Sequence, residues 1–107
     1  MQLPHAVQTY FDADRRGDRA ALMKAFAPDA LVQDEGHSYR GHDQIDAWWR
    51  DAKQQYAHHA APFEMKTEGD RVSVRATVTG NFPTSPATLA YHFTLAEGRI
   101  AELAILP

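Results

Sequence analysis

The sequence contains no cysteine, which excludes disulfides, thiolate metal sites and a cysteine nucleophile. This absence fits a reducing compartment, and we expect a cytoplasmic protein. The lysines and arginines are scattered and form no track for the phosphates of a nucleic acid. No apolar run approaches the ~20 residues that span a bilayer, and the N-terminus lacks the basic and apolar regions of a signal peptide. We therefore expect neither nucleic acid nor membrane as a partner.

The residues that are present have the composition of a globular protein. Of the 107 residues, 44% are apolar and 23% are charged, and the net charge is −3. This length is typical of one compact unit, so we expect a single domain over residues 1–107. A domain of this size buries only about two-thirds of its extended-chain surface, so a partner surface would add to its stability.

Apolar periodicity in the first half of the chain predicts three helices, at about residues 4–15, 19–26 and 42–57. In the third helix the apolar face is formed by Ile45, Trp48, Trp49, Ala52 and Tyr56. Pro28-Asp29 is expected to end the second helix. Residues 30–34 alternate as a strand, and residues 37–40 form a short return strand after a turn at Glu35-Gly36.

From about residue 60 the apolar period changes to two, which predicts strands. Alternating segments cover residues 72–79, 89–95 and 100–106, and residues 80–86 (GNFPTSP) form a loop. Successive hairpin-linked strands of this kind favour an antiparallel meander. Helices that are followed by strands predict an α+β domain with the helices on one face of the sheet.

Three segments resemble the nuclear-transport-factor-2-like superfamily: YFDADRRGDRAALMKAFAPDALVQD, YRGHDQIDAWW and FTLAEGRIAEL. Soluble members of this superfamily include ketosteroid isomerase, scytalone dehydratase, limonene epoxide hydrolase and the SnoaL-type polyketide cyclases. The resemblance covers essentially the whole chain. It implies a cone-shaped fold in which three helices pack into the concave face of a curved antiparallel sheet.

The resemblance implies two catalytic residues. Asp34 occupies the place of the general-base aspartate of ketosteroid isomerase, and Tyr10 occupies the place of its oxyanion tyrosine. A carboxylate in an apolar cone has a raised pKa, which suits proton abstraction. The alternatives are that Asp34 only opens the Glu35-Gly36 turn and that Tyr10 belongs to the apolar core.

A third position, on the penultimate strand, depends on the register. An ungapped count from the last hairpin places Ala90 there and turns His92 inward, whereas a count with one residue fewer places Tyr91 there. The alternation of Leu89 and Phe93 favours Tyr91 as a neutral hydrogen-bond donor. His92 stays a candidate for the pocket, as in the superfamily members that use a histidine.

Aromatic residues are the candidates for the wall of the pocket: Phe26, Tyr39, Trp48 and Trp49. The neighbouring His58 and His59 suggest a metal site, but no further ligands surround them at suitable spacing. We expect neither a metal nor a cofactor.

These observations leave two functions open. The first is an uncharacterised SnoaL-like enzyme without a cofactor, an isomerase, cyclase, dehydratase or hydrolase that acts on a small apolar molecule with a carbonyl group. The second is a non-catalytic module of the same fold that binds a small molecule or acts as a dimeric adaptor. The resemblance also implies a homodimer that pairs through the convex sheet face, around Arg75, Thr77, Ala90 and His92.

Overall fold

Three helices lie against one face of a six-stranded sheet in the computed structural model, which describes residues 1–107. The helices are α1 (His5–Arg16), α2 (Arg19–Ala25) and α3 (Gly41–Tyr56). The strands are β1 (Phe26–Asp34), β2 (His37–Arg40), β3 (His59–Glu68), β4 (Arg71–Thr79), β5 (Ala87–Ala96) and β6 (Arg99–Leu106). The predicted α+β class, with the helices on a curved sheet, is confirmed.

The ends of the first two helices follow from local chemistry. Gly17 closes α1 with a left-handed backbone (φ 69°), which a residue without a side chain adopts easily. The carboxylate of Asp18 accepts a hydrogen bond of 3.1 Å from the amide of Ala21, so it caps the start of α2. None of the helices combines the length and the apolar character that a membrane span requires.

The sheet is mixed, which differs from the antiparallel sheet that the sequence predicts. Its strand order is β2-β1-β6-β5-β4-β3, and β1 pairs with β6 in parallel. All other neighbours pair in antiparallel fashion. The alternation of residues within a strand predicts which face each side chain takes, but it carries no information on a partner so distant along the chain.

Strand β1 begins at Phe26, several residues before the predicted start, so Pro28-Asp29 lies within the strand and does not follow a helix. The pairing of β1 with β6 shifts register between Phe26 and Leu31. Proline has no amide hydrogen to give to the sheet, and an irregular stretch of this kind tolerates that loss. The irregular stretch explains why simple alternation is visible only from residue 30 onward.

One core fills the space between the helices and the sheet. Seven of its side chains are at most 4% exposed: Val7, Phe11, Phe26, Ile45, Trp49, Val74 and Phe93. They come from α1, α3 and three strands, so this core holds the two layers together.

Substitution of Trp49 tests the core. Trp49→Ala removes a side chain that is 4% exposed, and we expect it to lower the free energy of unfolding by about 3–5 kcal/mol. The matched control is Gln54→Ala, because Gln54 lies on the exposed side of the same helix and its loss should cost less than about 1 kcal/mol. Urea unfolding of both variants measures the difference. Equal losses would contradict the assignment of Trp49 to the core.

Candidate functional site

A cavity of about 300 Å³ lies between the helices and the sheet, where β1 ends. Its wall is mainly apolar and aromatic, and residues 82–84 of the loop between β4 and β5 contribute to it. Four of the residues that the sequence analysis proposes for the site line this cavity: Tyr10, Asp34, Trp48 and Tyr91. Few polar groups in an apolar cavity are typical of a small-molecule site.

Asp34 is the partly buried carboxylate of this cavity, and Trp48 orients it. The indole nitrogen of Trp48 donates a hydrogen bond of 3.0 Å to Asp34 Oδ2. Burial raises the pKa of Asp34 above its ordinary value, and the nearby charge of Glu35 adds to the rise. The hydrogen bond from Trp48 and the charge of His58 oppose this rise without cancelling it. The result is an oriented carboxylate that binds a proton more readily than an exposed one.

Two tyrosines supply hydroxyl groups to the same cavity. The rings of Tyr10 and Tyr91 lie 6.2 Å apart between centroids, at an angle of 58°. Burial raises the pKa of Tyr10 and that of Tyr91, and no protein hydrogen bond contributes to either shift. Since no buried polar side-chain atom lacks a partner in this protein, both hydroxyls are open to the cavity. Both phenols therefore stay protonated and are free to donate to a ligand.

The register of β5 places Tyr91 inward. Tyr91 pairs with Val74 and Ile105, which both belong to the core. His92 therefore points to the outer face, where its Nδ1 lies 2.9 Å from the hydroxyl oxygen of Ser73. The proposal that His92 lines the pocket needs correction, because side chains of neighbouring residues in a strand take opposite faces.

Two aromatic residues that the sequence analysis assigns to the pocket wall belong instead to the core. Phe26 is 1% exposed, and its ring packs against the ring of Tyr10 in a T-shaped arrangement. Trp49 is turned toward α1 because it follows Trp48 by one position on the helix. Tyr39 lies beside the cavity: its ring is 6.1 Å from that of Trp48, and it lines an adjoining depression of about 260 Å³.

The sequence analysis missed Asp14, which is 3% exposed and lies behind the cavity. Its Oδ1 accepts a hydrogen bond of 2.8 Å from the indole nitrogen of Trp49. Lys53 Nζ and His58 Nε2 each lie 3.3 Å from the same oxygen. Burial alone would raise the pKa of Asp14, but the hydrogen bonds from His58 and Trp49 and the charges of His58 and Lys53 lower it. Asp14 is therefore an ionised, fully partnered carboxylate.

His58 connects Asp14 to the cavity, because its ring contacts Asp14 and also lines the cavity. Ala57 ends α3 with a left-handed backbone (φ 48°), which turns the chain at the residue before His58. Gly80 packs against this turn so closely that a Cβ would lie 2.6 Å from the carbonyl oxygen of Tyr56. A larger residue at position 80 would push the two segments apart.

One signal in the sequence points to this cluster. Asp14 falls on the apolar face of α1, four residues after Tyr10, and a charged residue on a buried helical face requires a partner. The structure contains no group of three or more histidine and carboxylate side chains that could hold a metal ion.

A second concavity, of about 380 Å³, lies on the outer face of the sheet. It is larger than the cavity at Asp34, but its wall is mainly polar and includes Arg71, Ser73, His92 and Glu102. Neither a partly buried carboxylate nor an aromatic wall is present there. The cavity at Asp34 is the better candidate site because its groups are oriented and partly removed from water.

Comparison with known proteins identifies the family. The profile of the SnoaL-like domain matches residues 7–103. The chain belongs to this family. The SnoaL-like chain is also similar to the crystal structure of a candidate polyketide cyclase from Sinorhizobium meliloti, with 50% identity and a TM-score of 0.95 over 96% of this chain and 94% of that chain. The resemblance proposed from the three sequence segments is confirmed.

More distant structures share the SnoaL-like fold alone. A protein from Catenulispora acidiphila with a ketosteroid isomerase-like fold, solved in complex with trimethylamine, has 20% identity and a TM-score of 0.86 over 99% of this chain and 87% of that chain. A candidate polyketide cyclase from Xanthomonas campestris has 19% identity and a TM-score of 0.80 over 94% of this chain and 85% of that chain. No curated protein matches the chain.

The raised pKa of Asp34 predicts how stability depends on pH. A group whose pKa is higher in the folded state contributes stability at low pH, and this contribution is lost as the pH rises through the folded-state pKa. Asp34→Asn cannot ionise, so we expect its melting temperature to exceed that of the wild type by a few degrees at neutral pH. The advantage should shrink as the pH falls through the folded-state pKa of Asp34, and it should vanish below the ordinary pKa of a carboxyl group.

Thermal melts across this pH range, with the exposed Asp29→Asn as the control, measure the effect. A pH-independent difference between Asp34→Asn and the wild type would contradict the raised pKa. NMR titration of the Asp34 carboxyl in the wild type is a second, direct measurement.

Proposed function

We propose that this SnoaL-like protein is an isomerase or cyclase that removes a proton next to a carbonyl group in a small apolar molecule, without a cofactor. One observation carries the proposal. A carboxylate of raised pKa, Asp34, shares one apolar cavity with two phenol groups that have no protein partner, Tyr10 and Tyr91. A base and hydrogen-bond donors in a largely apolar cavity are the groups that enolate formation requires.

The roles follow from the charge that each group carries. Asp34, when ionised, takes a proton from the carbon beside the carbonyl group, and its raised pKa makes it a stronger base than an exposed carboxylate. Negative charge then develops on the carbonyl oxygen. Tyr10 and Tyr91 donate hydrogen bonds to this oxygen and remain protonated, because burial raises the pKa of both.

The volume and the lining of the cavity limit the size and the polarity of the substrate. Its volume of about 300 Å³ is at the lower end of the range of about 300–1,000 Å³ for ligand pockets. The aromatic side chains of Trp48 and Phe82 suit a flat, apolar molecule. The similarity to a candidate polyketide cyclase from Sinorhizobium meliloti supports a substrate that carries carbonyl groups.

The test is the exchange of hydrogen for deuterium beside the carbonyl group of 2-tetralone, a flat apolar ketone, in D₂O. We expect the wild-type protein to accelerate this exchange, measured by proton NMR. Asp34→Asn should slow the catalysed exchange by at least about 100-fold, because it removes the base. Tyr10→Phe should slow it by about 100-fold, because it removes one donor to the oxyanion. The exposed Asp29→Asn is the control and should exchange at the wild-type rate.

Two outcomes separate this proposal from a non-catalytic binding module. If 2-tetralone perturbs the NMR signals of residues in the cavity but its exchange is the same with the wild type and with Asp34→Asn, the protein binds without acting as a base. If Asp34→Asn abolishes the acceleration and Asp29→Asn keeps it, the enzyme proposal stands. Equal exchange with and without protein would also contradict the proposal.

We propose in addition that the outer face of the sheet pairs with a second copy of the chain. Two large apolar side chains are exposed on this face, Phe63 at 50% and Leu106 at 52%. Leu106 pairs across the sheet with Ala90, which in turn pairs with Arg75. The guanidinium of Arg75 lies 5.4 Å from the centre of the Phe63 ring. A row of apolar and planar groups of this kind suits an interface between identical faces.

Sedimentation at micromolar concentration tests this pairing. We expect the wild type to sediment as a dimer and Leu106→Glu to sediment as a monomer, because a pair of facing carboxylates would be buried without partners. The control, Gln54→Glu, adds the same charge on the exposed side of α3 and should leave the dimer intact. A wild-type monomer would contradict the proposal.

A further inference from the structure

We propose that His58 is the proton donor of the cavity and that the buried carboxylate of Asp14 positions it. The inference rests on the proposed function, because His58 would complete the proton transfer that Asp34 begins. Neither residue takes part in the roles assigned so far to Asp34, Tyr10 and Tyr91. The buried carboxylate of Asp14 lies behind the cavity, and the imidazole of His58 lies between that carboxylate and the cavity.

The contact with Asp14 indicates which nitrogen of the His58 ring donates to the carboxylate and which is left for a ligand. Nε2 lies 3.3 Å from Asp14 Oδ1, so Nε2 is the nitrogen that donates to the carboxylate. Nδ1 is then the nitrogen left for a ligand, and the ring lines the cavity. A carboxylate that accepts from one imidazole nitrogen fixes the tautomer and the orientation of the ring, and it stabilises the ring when both nitrogens carry protons.

Asp14 carries the negative charge that is needed to orient and stabilise the His58 ring. Its pKa is lowered by partners that outweigh its burial, so the carboxylate is ionised. Trp49 donates to it at 2.8 Å and Lys53 lies 3.3 Å away, so the carboxylate cannot rotate away from His58 without losing these bonds. An ionised carboxylate with three partners is a rigid support for the imidazole.

The backbone of His58 is held as firmly as its side chain. Lys53 Nζ donates a hydrogen bond of 2.6 Å to the carbonyl oxygen of His58. Ala57 takes a left-handed conformation that most residues other than glycine avoid, and this conformation turns the chain toward the cavity. Gly80 approaches so closely that an added Cβ would lie 3.1 Å from the Cα of His58.

In the proposed step, Asp34 takes up one proton and His58 gives up one proton. Asp34 takes a proton from the carbon beside the carbonyl group, and the electron pair of that C–H bond forms the double bond of the enol. The carbonyl oxygen receives a proton from Nδ1 of His58 while Tyr10 and Tyr91 donate hydrogen bonds to it. Asp34 becomes neutral and His58 loses its positive charge. When the carbon is protonated again, the enol proton returns to His58 and Asp34 becomes a carboxylate once more.

Asp34 sets the expected dependence of the exchange on pH. Asp14 and Lys53 face His58 from behind the cavity, and Asp34, Glu35, Tyr10, Tyr56 and Tyr91 share the cavity with it. The catalysed exchange of 2-tetralone needs an ionised Asp34, so its rate should rise as the pH passes through the raised pKa of that carboxyl group. Tyr10 and Tyr91 keep their protons over this range, because burial raises the pKa of both above its ordinary value.

The first experiment measures this profile for variants of the histidine. His58→Gln should lower the exchange rate by about 100-fold at the pH where Asp34 is fully ionised, while the rise due to Asp34 is kept. His59→Gln is the matched control, because His59 is the next residue, is exposed and does not line the cavity. Asp14→Asn, if it folds, should lower the rate less than His58→Gln does, because it leaves the proton donor in place but no longer fixes the orientation of its ring.

The second experiment needs neither activity nor a variant. ¹⁵N NMR of the imidazole groups in the wild type should show that neutral His58 keeps its proton on Nε2, as the contact with Asp14 requires. A proton on Nδ1 of the neutral ring would overturn the inference. So would an unchanged exchange rate in His58→Gln when Asp34→Asn abolishes exchange, and the proposed function would then stand. Exchange that survives Asp34→Asn would overturn the proposed function itself.

Discussion

The structure depends on the burial of one carboxylate. Asp14 is almost fully removed from water, and an ion in that position is stable only when its partners replace the water that it has lost. Trp49 and Lys53 reach it from α3, and His58 reaches it from the segment between α3 and β3. Because all three groups must meet at Asp14, the positions of α1, α3 and the start of β3 are tied together.

This constraint extends to the cavity through two neighbouring tryptophans. Trp49 donates to Asp14 on the core side, and Trp48 donates to Asp34 on the cavity side. The anchor at Trp49 therefore sets the rotation of α3 about its axis, and that rotation brings the indole of Trp48 to Asp34. The surroundings then separate the two carboxylates chemically: partners lower the pKa of Asp14, whereas burial raises that of Asp34.

Local patterns in the sequence predict most of the fold and part of the site. Helical and alternating periods place the elements within a few residues, and the alternation of β5 turns Tyr91 inward correctly. The parallel pairing of β1 with β6 is not predictable in this way, because it joins segments from opposite ends of the chain. The same limit applies to His58, which looks like half of a metal-binding pair until Asp14, far away in sequence, is seen to contact it.

The pairing of β1 with β6 has a consequence for how the protein is made. Asp34, near the end of the first third of the chain, lies opposite Ile105 of the final strand. During synthesis the residues of β6 must leave the ribosome before this pairing can close, so the early strands wait without their permanent neighbour. Contacts between such distant segments also slow folding, because a long loop must be closed before they form. The cavity is therefore among the last parts of the protein to be assembled, and a truncated chain would present Asp34 on an open strand edge.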